Sequence, residues 1–136
     1  MILAAWLFGV AGVIVAGIGV FFILLRPSLL PEDFRYLGKS VSQINHDVPQ
    51  LQRWLQRVFI AMGGHALAVG GLTVYVAATG VRDGQTSAVV ALAITGAAAT
   101  GIMTVINFAI RSDFRWVLLG LLALWGAATA SAGLVG

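Results

Sequence analysis

The chain has 136 residues, of which 60% are hydrophobic and only 10% charged, whereas a water-soluble domain carries about 25% charged residues to cover its surface. A mean hydropathy of +0.97 means that lipid must surround most of the chain, which excludes an ordinary soluble fold. The absence of cysteine removes disulfides, thiolate metal sites and cysteine nucleophiles, and a net charge of +3 set by scattered cations gives nucleic-acid binding no support.

Four stretches contain no Asp, Glu, Lys or Arg: 1–25, 58–81, 84–110 and 116–136. Each is longer than the roughly 20 residues an α-helix needs to cross about 30 Å of hydrocarbon. They are apolar on every side rather than alternating, so membrane strands are excluded. The expectation is an all-α membrane protein forming a single transmembrane domain over 1–136. Its architecture would be an antiparallel four-helix bundle with spans at about 2–25, 58–81, 87–110 and 116–135, and a helical cytoplasmic connection at 26–57 between the first two spans.

The first span lacks a basic region before it, is too long for a signal-peptide core and shows no small-x-small cleavage site before Arg26. It reads as an uncleaved anchor inserted amino terminus out. Trp6, Trp54 and Trp116 suit the headgroup level, and Trp125, although mid-span, is assigned there with them.

In the connection, Pro31 with Glu32 and Asp33 opens a short helix to about Leu37, which Gly38 ends. Residues 40–46 read as a polar turn, after which Asp47 caps a helix with Pro49 in its first turn. Leu51, Trp54, Leu55, Val58 and Met62 then share one face, so the second membrane helix is expected to begin near Val48 and run unbroken to about Thr79. Such a rod measures about 45–50 Å and stands out of the membrane at its start. Arg35, Lys39, Arg53, Trp54 and Arg57 would make this region either a docking ledge for a partner or anionic lipid, or an interfacial elbow whose arginines set topology.

Small residues recur every four positions at Gly12 and Ala16, at Gly64 and Ala68, at Ala66 and Gly70, at Ala93, Ala97 and Gly101, and at Ala123, Ala127 and Ser131. These ridges allow close helix approach in lipid. They predict a tight bundle without a wide cavity, with self-association or membership of a larger complex. Neither Gly-Gly pair, at 63–64 and 70–71, carries the neighbours of a phosphate loop. Thr73 and Tyr75 line a notch near the outer end, or Tyr75 anchors at the interface.

Polar groups at membrane depth are few. Thr100, Thr104, Asn107 and Arg111 form one stripe on the third span. His65 and Thr104 lie at similar distances from Arg57 and Arg111, so His65 is expected to face the Thr104/Asn107 stripe and hydrogen-bond to it. The four residues His65, Thr100, Thr104 and Asn107 are candidate ligand-binding groups; the competing reading is interhelical glue. No carboxylate lies within any span, no acid/base pair assembles and His46 is too distant to join His65 on a haem. No cofactor or metal is therefore expected, and an enzyme ranks behind both a structural subunit and a lipid- or ligand-binding protein.

Between spans three and four, Arg111, Asp113 and Arg115 leave a tight turn, in which Asp113 could pair with Arg111, Arg115, Arg53 or Arg57. These three join Arg35, Lys39, Arg53, Trp54 and Arg57 as candidate interfacial or partner-contact residues. Seven of the eight cations fall in the first and third connections and only Arg82 in the second. The first and third connections are thus expected in the cytoplasm and both termini outside it.

The string LPEDFRYLG at 30–38, FIAMGG at 59–64, Asn107 and SDFRW at 112–116 together resemble small bacterial four-span inner-membrane proteins of unknown function. The likeness covers most of the chain. It implies a compact bundle in a bacterial inner membrane, surrounded by membrane lipids, and carries no activity to particular residues.

Overall fold

The computed structural model describes residues 1–133, which contain helices and turns but no strand. Six helices follow one another: α1 (Ile2–Leu24), α2 (Pro31–Leu37), α3 (Val41–Asp47), α4 (Leu51–Val81), α5 (Thr86–Ala109) and α6 (Arg115–Gly133). Helices α1, α4, α5 and α6 are each long and apolar enough to cross a membrane. The end of the fourth expected span, residues 134 and 135, lies outside the described residues.

The connection is more helical than expected. Residues 40–46 are not a turn, because Ser40 caps α3: its hydroxyl accepts from Gln43 N at 3.3 Å while Gln43 Oε1 accepts from Ser40 N at 2.8 Å. This reciprocal Ser-x-x-Gln arrangement satisfies two backbone donors at once. Asp47 consequently ends α3 instead of capping the next helix, and α4 begins at Leu51. At 31 residues, α4 is about 46 Å long.

Two turns widen from α to π geometry, Ala77–Val81 at the end of α4 and Ala97–Gly101 inside α5. In the first, Arg82 N reaches Ala77 O at 3.2 Å, a five-residue step. Gly84, at φ +82°, supplies the left-handed residue that closes the short link to α5.

Helix α1 packs along α4 on one side and α6 on the other. A Cβ built on Gly12 would sit 2.9 Å from Gly70 O, and one on Gly19 would sit 2.5 Å from Leu67 N. Residue numbers climb on α1 as they fall on α4, and the backbones meet where side chains are missing. Helix α5 packs on α6 and reaches α4 chiefly at the Ala77–Val81 turn, where a Cβ on Gly80 would lie 2.7 Å from Ala88 Cβ.

The apolar core occupies the half of the molecule away from the connection. Ala4, Phe8, Ala11 and Val15 of α1 meet Ala77 and Val81 of α4, Val89 and Leu92 of α5, and Leu121, Trp125 and Ala128 of α6. Trp125 is not an interfacial anchor: it is only 2% exposed, Nε1 donates to Leu92 O at 2.7 Å and the ring stands edge-on to Phe8 at 6.2 Å. Gly96 leaves room for the indole, since a Cβ there would overlap its ring. Trp6, Trp54 and Trp116 are exposed.

Candidate functional site

The candidate side chains lie in two places, the connection end of the molecule and the inner stretches of α4 and α5. At the connection end, Arg26 follows directly on α1 and folds back on it. Its guanidinium carbon lies 3.4 Å from the centre of the Phe59 ring and 5.3 Å from that of Phe22, and a guanidinium nitrogen is 3.8 Å from Asp33. The group sheds water by this packing, and burial lowers its pKa against the opposing pull of Asp33 and Glu32. Cation–π contact and the ion pair offset that loss of hydration.

Helix α2 then reaches across to the turn between α5 and α6. Asp33 Oδ2 accepts from Leu30 N at 2.7 Å and fixes the start of the helix. One turn of α2 thereby presents Glu32, which is 5% exposed, to the Ser112 hydroxyl at 3.1 Å, and Arg35 to both oxygens of Asp113 at 3.1 Å. Asp113 therefore pairs with Arg35, not with Arg111, Arg115, Arg53 or Arg57. On the turn itself, Arg111 takes φ +54°, with Arg111 N bonded to Phe108 O and Ser112 N to Asn107 O. This is a Schellman closure with arginine where glycine is usual. Arg115 donates to Ser112 O at 3.0 Å and lies 5.7 Å from the Trp116 ring centre.

Lys39 forms an ion pair with Asp47. Arg53, Trp54 and Arg57 point away from the protein along α4. Of the eight residues expected at a partner or headgroup surface, Arg35, Asp113 and Arg115 tie the connection end together and Lys39 ties α3. Arg53, Trp54, Arg57 and Arg111 are left exposed. Sequence reasoning missed Glu32 and Ser112 as partners, and treated Arg26 only as a topology mark; the capping spacing from Leu30 to Asp33 was the one local signal that α2 had a fixed orientation.

Along the spans the expected meeting of His65 with α5 does not occur. His65 is exposed, and its Nδ1 lies 2.8 Å from Ala61 O of its own helix. A carbonyl only accepts, so Nδ1 is the donor and Nε2 is the ring atom left without a partner. Thr104 is buried and donates to Thr100 O at 2.7 Å, while Asn107 donates to Met103 O at 2.9 Å. Each group is satisfied within its own helix, as hydroxyls and amides in apolar helices commonly are. Thr73, expected at a notch, is buried against Gly12 and donates to Val69 O at 2.8 Å, whereas Tyr75 is exposed. Among the described residues no group of three or more His, Cys, Asp or Glu could hold a metal ion.

The two Gly-Gly pairs of α4 divide their work. Gly63 and Gly70 face α1: a Cβ on Gly63 would lie 2.7 Å from Gly19 O, and one on Gly70 would overlap Ala16. Gly64 and Gly71, one position on, have nothing within 4 Å of such a Cβ. With Ala61, Ala68 and Tyr75 they form an exposed strip along α4, and His65 stands at its rim.

No protein-family model matches the chain, and no curated protein or solved structure matches it either.

Proposed function

We propose that this chain is an integral membrane protein of four antiparallel spans that serves as a structural or accessory subunit of a larger or self-associated membrane assembly. The connection formed by α2 and α3, and the turn between α5 and α6, lie in the cytoplasm, because together with the adjoining first turns of α4 and α6 they hold seven of the eight cations. Both termini then lie on the far side. The resemblance at 30–38, 59–64 and 112–116 supports a bacterial inner membrane as its location.

The observation that carries this reading is the second glycine face of α4. Gly63 and Gly70 allow α1 to approach backbone to backbone, and Gly64 and Gly71 repeat the same seven-residue spacing on a face that α1 leaves open. Lipid tails gain nothing from a smooth small-residue strip, whereas another helix gains close packing. His65 adds to this. Its unpartnered Nε2 lies eight residues, about 12 Å, past Arg57, at a depth where no water satisfies it. A hydrogen bond across an interface would do so, and such bonds contribute about 0.6 kcal/mol each in membrane bundles.

The test is purification in a mild detergent, with mass determined by light scattering. The unaltered chain is expected to run as a species larger than one copy, either with itself or with a fixed partner. Gly64→Leu combined with Gly71→Leu should reduce it to a folded monomer with unchanged helix content, and His65→Ala should weaken the assembly without that complete loss. A monomer that captures no partner, or an assembly indifferent to the double substitution, would refute the assignment.

A further inference from the structure

At the end of the molecule opposite the connection, α1 and α4 leave a groove of about 500 Å³ on their outer side. Trp6, Gly9 and Val13 of α1 and Val74 and Ala78 of α4 line its length, and Arg82 lines its end. Gly12 meets Gly70 and Thr73, so Arg82, nine residues past Thr73, is level with the first turns of α1. The lining on α1 runs from Ile2 to Ile14, about 18 Å of helix. That is close to the thickness of one leaflet, half of a hydrocarbon layer of about 30 Å.

The groove is built by two local features. Gly9 has nothing within 4 Å of the place a Cβ would take, so it forms a floor in an otherwise bulky face of α1. The π-turn Ala77–Val81 does the rest. Residues five apart on an α-helix point about 140° away from each other at 100° per residue, yet Ala77 and Arg82 both line the groove, because the wider turn closes a five-residue step between them. Arg82 is exposed, and the ion pairs among the described residues, Arg26–Asp33, Arg35–Asp113 and Lys39–Asp47, do not include it. It is also the one cation of the chain outside the first and third connections.

We infer that this groove holds an acyl chain of an anionic phospholipid from the adjoining leaflet, with Arg82 pairing its phosphate. The walls face the hydrocarbon and are apolar over one leaflet's depth, and Arg82, which forms no ion pair among the described residues even with Asp83 next to it in the chain, stands where headgroups lie. That pattern of charge and length matches an anionic phospholipid better than an apolar helix, which has no anion to offer Arg82. Ala78 is seven residues past Gly71, so the groove adjoins the Gly64/Gly71 strip along α4; none of the strip's residues lines it, and Gly9 on the α1 wall tests it apart from the assembly.

The experiment is native mass spectrometry of the full chain in mild detergent, titrated with phosphatidylglycerol or phosphatidylcholine. The unaltered chain should retain one phosphatidylglycerol at about fivefold lower concentration than phosphatidylcholine, the ratio one juxtamembrane charge provides. Arg82→Gln should remove that preference while keeping both lipids weakly bound. Gly9→Leu, which places a side chain in open space, should abolish retention of both with helix content unchanged. Gly120→Leu, equally open but on α6, should leave retention as it was. Equal retention of the two lipids by the unaltered chain, or retention unaffected by Gly9→Leu, would overturn the assignment. So would a change in oligomer size on Gly9→Leu, which would make the groove a protein interface.

Discussion

Trp125 and Gly96 show how a single close contact can organise a bundle this small. The indole enters the core because Gly96 has no side chain, and it closes a hydrogen bond on Leu92 O that crosses from α6 to α5. Gly96→Ala is therefore expected to push the ring out of place and destabilise the protein by about 1–3 kcal/mol, from overpacking and from the lost bond. Gly126→Ala, with nothing within 4 Å, should change stability by less than about 0.5 kcal/mol. Near-UV circular dichroism with reversible unfolding in denaturing detergent measures both, and equal effects would count against Trp125 as the pin of the core. None of this was legible beforehand. Within an apolar run nothing marks which face of α6 is inward, and the partners of Trp125 lie on two other helices, Leu92 and Gly96 on α5 and Phe8 on α1. His65 failed for the related reason that equal depth on two helices does not make their faces meet; α5 touches α4 mainly near the Ala77–Val81 turn.

At the level of elements, α2 acts as a clasp between the end of α1 and the turn from α5 to α6. Its two links differ in worth. The Ser112–Glu32 bond is buried, so Ser112→Ala should leave a buried carboxylate short of a donor and cost about 1–3 kcal/mol. Arg35 and Asp113 are both well over half exposed, and their coupling in a double-mutant cycle should stay below about 1 kcal/mol and shrink as salt is raised. A cycle in which the exposed pair outweighs the buried bond would contradict this ranking. Helix α2 was readable because Pro31, two acids and Gly38 mark a start and a stop. Helix α3 was overlooked although Ser40 and Gln43 have capping spacing, since its polar composition resembled a turn. The π-turns left no sequence signal at all: a single extra residue in a run of Ala, Thr and Gly does not disturb a pattern that is apolar on every side.

For the whole molecule, the four long helices were legible because charge is so scarce that its positions divide the chain. Their pairing was not, because every span offers small residues on more than one side: of the ridges foreseen, Gly12 and Gly70 lie inside the structure, while Gly64, Ala68, Ala123 and Ala127 lie on its surface. The proposed assembly, the lipid groove and the depth assigned to His65 all require that these helices cross a bilayer with the cation-rich connections on one side. Since the chain has no cysteine, single cysteines can be placed at Ser42 in α3 and at Gln85 between α4 and α5, both exposed. Intact cells would then be treated with a membrane-impermeant maleimide. Gln85→Cys should label at once and Ser42→Cys only after the membrane is opened; the reverse order, or both labelling together in intact cells, would contradict the topology.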